Sequence, residues 1–187
     1  MPYSPMAYGW EGEKVRLVPI DTERMLDNYL RWLNDPEVTE WLLIGDHPLG
    51  RCAEREWLER MERGSDDNVV FAIETLDGRH IGTSGIHNID YRHRGAMTGS
   101  FIGDRSEWGK GYGTDAARVR AKYCFEVLGL RALRSSTLDG NERSLRMQIA
   151  AGAEVVGRWP GRYWKRGAWR DEILMSLTRE RWRSLAG

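Results

Sequence analysis

The stretch WGKGYGTDAARVRAKYCFEV (residues 108–127) places three alternating glycines directly before a helical pattern. Glycine weakens both helices and strands, so Gly109, Gly111 and Gly113 indicate a use for bare backbone amides at a helix N-terminus. Such amides, together with the helix dipole, bind anions, and the stretch therefore predicts a ligand that carries phosphate. Helical spacing then puts four apolar residues on one face: Ala116, Val119, Tyr123 and Val127.

On both sides of this stretch the apolar pattern predicts alternating strands and helices. Asp77–Gly78 is a hairpin signal between two β-rich runs. In chain order the pattern gives strand, two helices, three antiparallel strands, helix, strand, helix and two strands. This order predicts an α/β or α+β sheet packed between helices. The predicted strands are 14–20, two within 68–90, 95–103, 130–139, 153–159 and 169–178, and the predicted helices are 21–36, 51–64, one from about Tyr112, and 141–152.

Length and charge limit the kind of protein that this sequence can encode. The 187 residues suit one globular domain, 1–187, with a loose N-terminal segment over 1–12. The 28 basic and 28 acidic residues cancel, so the chain has no overall field that attracts nucleic acid or an anionic membrane surface. With no apolar run of membrane-spanning length and no secretory pattern at its start, we expect a cytoplasmic protein.

The two cysteines, Cys52 and Cys124, lie in separate helical patterns without metal-ligand spacing. We therefore expect no metal, no disulfide framework and two buried free thiols. The helical pattern around the first of them puts Cys52, Trp57, Leu58 and Met61 near one stripe.

Two other kinds of phosphate loop fit the glycines poorly. A P-loop requires GxxxxGK followed by Ser or Thr, whereas Lys110 here lies between two glycines. A dinucleotide fingerprint requires GxGxxG in an early βαβ unit, whereas the spacing here is GxGxG after antiparallel strands.

WGKGYGTDA resembles the pyrophosphate loop of the GNAT superfamily of acyl-CoA-dependent N-acetyltransferases, whose usual form is Arg/Gln-x-x-Gly-x-Gly/Ala. Gly111 and Gly113 match its glycines, and Trp108 replaces the Arg or Gln, as in the RimJ/RimL-like branch, named for enzymes that acetylate ribosomal proteins. The likeness runs from Lys14 to Trp182. It rests on segments that are weak alone and specific in this order: RWLNDPEV (31–38), FAIETLDGRHIGTSGIHNID (71–90), IGDRSEWGKGYGTDA (102–116), FEVLGL (125–130) and DEILMSL (171–177).

The resemblance implies a GNAT fold: a mixed, mostly antiparallel sheet of about seven strands, with a V-shaped split between two central parallel strands that holds acetyl-CoA. The pantetheine arm would follow backbone near Phe101 and Ile102, as a ligand strand does. The implied coenzyme A contacts also include Trp108, Gly109, Lys110, Gly111, Tyr112, Gly113, Thr114, Asn141, Arg143, Ser144 and Arg146. Local alternatives stay open for four of them: solvated side chains for Lys110, Arg143 and Arg146, and a helix cap for Asn141.

The usual proton-handling groups are absent. Gln148 stands where relatives have the Tyr that protonates the leaving thiolate, and Met97 stands where a Glu is common. Acid–base help is worth about 10²–10⁴-fold, so its loss slows an enzyme without silencing it. The candidate bases are His87, Asp90 and His93, each with a structural or surface role as its alternative.

The resemblance implies direct transfer of an acyl group, most simply acetyl, from acetyl-CoA to a primary amine, either a protein N-terminal α-amine or a small-molecule amine. Because the enzyme has no strong general base, an amine of low pKa is favoured, since more of such an amine is already neutral at pH 7. The alternative is a coenzyme A-binding protein of the same fold with impaired catalysis. We expect no nucleic-acid or membrane partner, and a homodimer is open. Residues 157–172, rich in Trp, Tyr and Arg, fit an acceptor-pocket wall, a subunit interface or a hairpin covering the sheet edge equally well.

Overall fold

The computed structural model describes residues 10–185. Most of the segment predicted to be loose, 1–12, lies outside this range. Its last residues contact the domain: the Trp10 ring centroid lies 5.4 Å from that of Phe71 and 5.7 Å from that of Tyr123, and Glu11 forms an isolated β-bridge with Arg16. Residues 10–12 are thus joined to the fold, and the assignment of 1–187 to one domain stays a prediction.

Strands and helices follow the order expected from the sequence. The strands are β1 (Val15–Pro19), β2 (Val69–Thr75), β3 (His80–Asp90), β4 (Gly95–Ile102), β5 (Ala132–Leu138), β6 (Glu154–Lys165) and β7 (Ala168–Thr178). The helices are α1 (Thr22–Leu33), α2 (Arg51–Arg63), α3 (Tyr112–Lys122), α4 (Glu142–Ala150) and α5 (Arg179–Leu185), with a 3-10 turn at Arg105–Glu107 and a π-helical turn at Tyr123–Val127. Only α5 was missing from the sequence prediction.

All seven strands form one sheet in the order β1-β2-β3-β4-β5-β7-β6. Every neighbouring pair is antiparallel except β4 and β5, which run parallel. These two pair over only three positions, from Gly95↔Ala132 to Met97↔Arg134, and then part. The predicted mixed sheet with a V-shaped split between central parallel strands is confirmed.

Helices cover both faces of the sheet. The buried side of α1 and α2 packs on one face, where Tyr29 and Leu58 are fully buried with Ala72. Helix α3 and the π-helical turn pack on the other face, where Ile73 and Phe125 are fully buried. The sheet is therefore the middle layer, and a gap in it connects the two sides.

Two expectations about side-chain burial need correction. Cys52 is exposed, not buried, and only Cys124 is a buried thiol. Val127 is 63% exposed, although its spacing put it on the apolar face of α3. The last turn is π-helical, with the Leu128 N–H donating to Tyr123 O at 3.1 Å, and this wider turn rotates Val127 away from the core.

No helix among residues 10–185 is both long and apolar enough to cross a bilayer. The same part of the chain holds no cluster of three or more side chains able to ligate a metal ion.

Candidate functional site

Where β4 and β5 part, the sheet opens into a cavity of about 870 Å³. Its walls are the end of β4 (98–102), the glycine loop (108–114), the end of β5 (136–138) and one side of α4. The 41–44 segment between α1 and α2 also lines the cavity. All candidate site residues named from the sequence line this cavity except Lys110, Asp90 and His93.

The backbone of the glycine loop is left-handed at two positions. Gly109 has φ +78° and Gly111 has φ +85°, a conformation that glycine adopts without steric cost. The Asp115 N–H is the first to bond back into α3, donating to Gly111 O at 3.1 Å. Among residues 10–185, the six amides from Gly109 to Thr114 find no acceptor. A row of unpaired donors at a helix N-terminus is an anion site.

Trp108 fixes the start of this loop. Its indole Nε1 donates to Ile102 O at 2.7 Å, which ties the loop to the end of β4. The guanidinium of Arg143, on α4, lies over the indole at 4.2 Å from the ring centroid. This cation–π contact holds a positive charge beside the free amides. Trp108 thus connects the loop, β4 and α4, and Arg143 has a partner as well as a place in the cavity wall.

Two lysines reach the loop in different ways. Lys110 Nζ lies 3.0 Å from a carboxylate oxygen of Glu107, a buried group that Arg79 also contacts. The hydrogen bond from Lys110 and the contact with Arg79 hold the pKa of Glu107 below its usual value. Lys14 Nζ donates to Lys110 O at 2.9 Å, so a second ammonium lies at the loop. No local pattern indicates a role for Lys14 at the loop, because Lys14 precedes Lys110 by 96 residues.

Asp115 explains why Lys14 lies there. Its carboxylate accepts from the backbone N–H of Glu13 at 3.2 Å, of Lys14 at 2.8 Å and of Val15 at 3.0 Å. These bonds anchor the start of β1 to the first turn of α3. An added Cβ at Gly12 would come within 2.4 Å of the same carboxylate, so this approach requires glycine.

Helix α4 supplies the polar wall opposite β4. Asn141 is its N-cap and accepts from the Ser144 N–H at 3.2 Å, and it also lines the cavity. Gln148 is buried and donates from Nε2 to Ser144 Oγ at 3.1 Å. Arg146 is exposed, with its guanidinium 3.9 Å from Glu142. The local cap and the cavity position of Asn141 therefore coexist.

His87 is the candidate base that faces the cavity. Its ring folds back over Gly85, where an added Cβ would come within 2.2 Å of Nε2. Its Nδ1 lies 3.1 Å from Asn68 Oδ1, and because an amide oxygen only accepts, Nδ1 carries the proton and Nε2 keeps a free lone pair. Burial, and secondly the charge of Arg120, lower the pKa of His87, so the ring is neutral at neutral pH.

Asp90 and His93 are placed elsewhere. They bond to each other, with His93 Nδ1 2.7 Å from Asp90 Oδ2; Asp90 is the last residue of β3, and His93 lies in the exposed turn that follows. Hydrogen bonds from His93, its backbone amide first, lower the pKa of Asp90. Neither lines the cavity. Met97 pairs with His87 across β3 and β4, so an apolar side chain stands at the position where a Glu is common in relatives.

The far end of the cavity is apolar, with walls formed by Trp41, Leu42, Leu43, Ile44, Trp57, Val70 and Tyr163. The β6–β7 hairpin holds this wall in place: Lys165, almost fully buried, donates to Ile44 O at 3.2 Å and to Asp46 Oδ1 at 2.8 Å. Tyr163 of this hairpin faces the cavity, whereas Trp159, Trp164 and Trp169 stay more than half exposed. The sequence did not identify the 41–44 wall.

Arg120, on α3, is a second site residue that sequence reasoning missed. It is 5% exposed and lines the cavity, and its Nη1 donates to Ser84 Oγ at 2.8 Å and to Gly99 O at 3.1 Å. The sequence does contain a signal for Arg120, because this charged residue lies four residues after Ala116, on the helix face predicted to be apolar. Ala153 lines a separate small cavity of about 30 Å³.

Residues 14–154 match the family model described as "Acetyltransferase (GNAT) domain". A curated relative, "Putative ribosomal N-acetyltransferase YdaF" of Bacillus subtilis (strain 168), is 28% identical over 168 residues, which is 89% of this chain and 90% of that protein.

Solved structures have the same fold. Spermidine N-acetyltransferase from Vibrio cholerae, in complex with CoA and spermine, superposes with a TM-score of 0.80 at 18% identity and covers 90% of this chain and 98% of that one. Mycobacterium smegmatis RimJ, in complex with CoA-disulfide, superposes with a TM-score of 0.78 at 22% identity, over 89% of this chain and 82% of that one.

Proposed function

Because the chain belongs to the GNAT acetyltransferase family, we propose that it transfers the acetyl group of acetyl-CoA to a primary amine of low pKa that carries an apolar group. The observation that carries the proposal is the row of six unpaired amides, Gly109–Thr114, at the mouth of the cleft between β4 and β5. The rest of the proposal concerns what each part of the cavity does with the two substrates.

The residues present fit coenzyme A. The free amides from Gly109 to Thr114 suit its diphosphate, and Arg143 and Lys14 add positive charge on two sides of the loop. The separated edges of β4 and β5 leave a slot for an extended arm with amide groups. When bound, acetyl-CoA supplies an activated acyl group on a thiol that leaves readily, because a thiol has a pKa of about 8.5.

Within the cavity, His87 takes up the proton that the amine loses. Its neutral ring, with the free lone pair on Nε2, meets the requirement for a base, either directly or through one water. Gln148 donates a hydrogen bond but no proton, so it orients and does not act as an acid. We expect positioning in the cleft to supply the larger part of the rate enhancement.

The cavity lining favours one class of acceptor. Its apolar end, with Trp41, Ile44, Trp57 and Tyr163, suits an amine next to a hydrophobic side chain. Among residues 10–185, Glu107 is the only carboxylate in the lining, and Arg79 and Lys110 already neutralise it, so a polycation finds no free acidic partner in this part of the chain. At pH 7 about a tenth of an α-amine of pKa about 8 is neutral, against less than one part in a thousand for a lysine amine. A peptide N-terminus or small α-amine is therefore the proposed acceptor.

Thiol release from acetyl-CoA, measured with a panel of amines, tests this proposal. We expect release with peptides and small molecules that have a hydrophobic first residue and a free α-amine, and little with spermidine or with Nα-acetyl-lysine. Faster release with spermidine than with the α-amines would contradict the proposed acceptor class. Coenzyme A binding without acceptor-dependent release from any amine would favour the impaired binding protein. A homodimer and a cytoplasmic location stay predictions.

A further inference from the structure

Arg120 is a buried cation without a counter-charge. The guanidinium is 5% exposed, and among residues 10–185 no carboxylate lies within ion-pair distance of it. Within the same range, its two protein acceptors, Ser84 Oγ and Gly99 O, are neutral, and Nε has no hydrogen-bond partner. Removing an ion from water costs several kcal/mol unless another charge or polar groups compensate it.

The titratable groups around Arg120 do not supply that charge. Burial raises the pKa of the Cys124 thiol to about 12, so it stays neutral. Burial and the guanidinium lower the pKa of His87, which is also neutral. Glu107 lines the same cavity, but it is paired with Arg79 and Lys110. Burial lowers the pKa of Arg120 only to about 10, so the arginine keeps its proton at neutral pH.

The position of Arg120 matters as much as its charge. It lines the main cavity beside His87, Thr98 and Gly99, just beyond the point where β4 and β5 separate. It also lines the small cavity behind, together with Gln148. A positive charge therefore borders the part of the cleft that contains the proposed base.

Resting on the proposed function, we propose that Arg120 is an anion-recognition residue that selects a substrate with a carboxylate next to its reacting group. The planar guanidinium matches the two oxygens of a carboxylate, and a bound carboxylate offsets the cost of the buried charge. The carboxylate has two potential sources. It is carried either by the acceptor, as in a free α-amino acid, or by the acyl chain, as in succinyl-CoA.

Calorimetric measurements of binding test the proposed carboxylate recognition without any turnover, in two arms. The acceptor arm compares L-phenylalanine with L-phenylalaninamide in the presence of saturating coenzyme A. The donor arm compares succinyl-CoA with butyryl-CoA, which has the same number of chain carbons and no charge. Because a hydrogen bond to a charged group is worth about 1.5–3 kcal/mol, we expect about a 10- to 100-fold preference for the carboxylate probe in one arm.

Variants of Arg120 test whether the preference for the carboxylate probe depends on this arginine. Arg120→Leu removes the charge and should abolish the preference, whereas Arg120→Lys keeps a charge and should retain part of it. Arg118→Leu is the matched control, since Arg118 is exposed on the same helix and bonds to Ala150 O at 3.0 Å. Melting curves of all three variants check that each is folded.

Three results would overturn the inference: no preference in either arm, a preference that survives in Arg120→Leu, or an equal loss of affinity for charged and neutral probes. The last would indicate that Arg120 only supports the cleft. Acetyl-CoA binding by the wild type separates these results from a failure of the proposed function, because without such binding both proposals fall.

Discussion

The left-handed conformation of Gly111 offers a graded test of the phosphate loop. Gly111→Ala places a Cβ at φ +85°, which costs about 1–2 kcal/mol for a residue with a side chain. The new Cβ would also come within 3.1 Å of Lys14 Nζ, the mobile end of a long side chain, so this contact adds little. If binding requires the loop in its present form, we expect coenzyme A to bind about 5- to 30-fold more weakly.

Gly113→Ala is the matched control, two residues further along the same loop. Its backbone has no positive φ, and its Cβ would meet Met147 at 3.4 Å, an ordinary contact. We expect this variant to bind coenzyme A as the wild type does and to unfold at an equal or higher temperature, since alanine is favoured over glycine in helices. Isothermal titration of both variants with coenzyme A is the assay. Equal affinities for the two variants would refute the claim that the Gly111 backbone shapes the site.

Four further predictions concern ionisable side chains. His87→Gln should lower kcat for an α-amine about 10²–10⁴-fold with coenzyme A affinity unchanged. Once the ionisation of the free amine is allowed for, the wild-type acid limb of kcat/KM that belongs to His87 should lie below pH 6.5, as a pH–rate profile would show. Arg143→Gln should weaken coenzyme A binding more than Arg146→Gln, because only Arg143 is held at the loop; equal titration results would contradict this. Burial lowers the pKa of His80 to about 4, so as the pH falls through 6.5 the unfolded chain binds a proton on His80 and the folded chain does not. This difference lowers the free energy of unfolding of the wild type by about 2–3 kcal/mol at pH 4.5. In urea titrations, His80→Gln should remove that loss. Burial raises the pKa of Glu54 to about 7, so protonation of Glu54 in the folded chain stabilises the fold as the pH falls through 7. Glu54→Gln removes this gain, so the free energy of unfolding should decline more steeply with falling pH in this variant.

The sequence predicted the parts of the fold that depend on local chemistry. The Asp77–Gly78 hairpin signal and the glycines before α3 each report their own conformation, and the structure has the hairpin and the helix start where they were expected. The resemblance of the 108–116 stretch supplied what periodicity does not, namely that two central strands part. The 179–185 helix was missed because it follows the last strand without a clear break in pattern.

The parts of the site that depend on distant residues were not predicted. Lys14 reaches the loop through backbone bonds to Asp115, and the 41–44 wall is held by Lys165, more than one hundred residues away. These contacts exist only after folding, so no local pattern encodes them. Arg120 differs, because a charged residue within an apolar helical stripe is visible in the sequence and signals a buried charge that requires a function.

The most direct test of the coenzyme A site is the response of its own amides. In an amide-resolved NMR titration, we expect coenzyme A to shift the signals of residues 109–114 more than those elsewhere, and pantetheine, which lacks the diphosphate, to leave them nearly unchanged. Binding of coenzyme A with these six signals unmoved would contradict the account, because the diphosphate would then be held elsewhere.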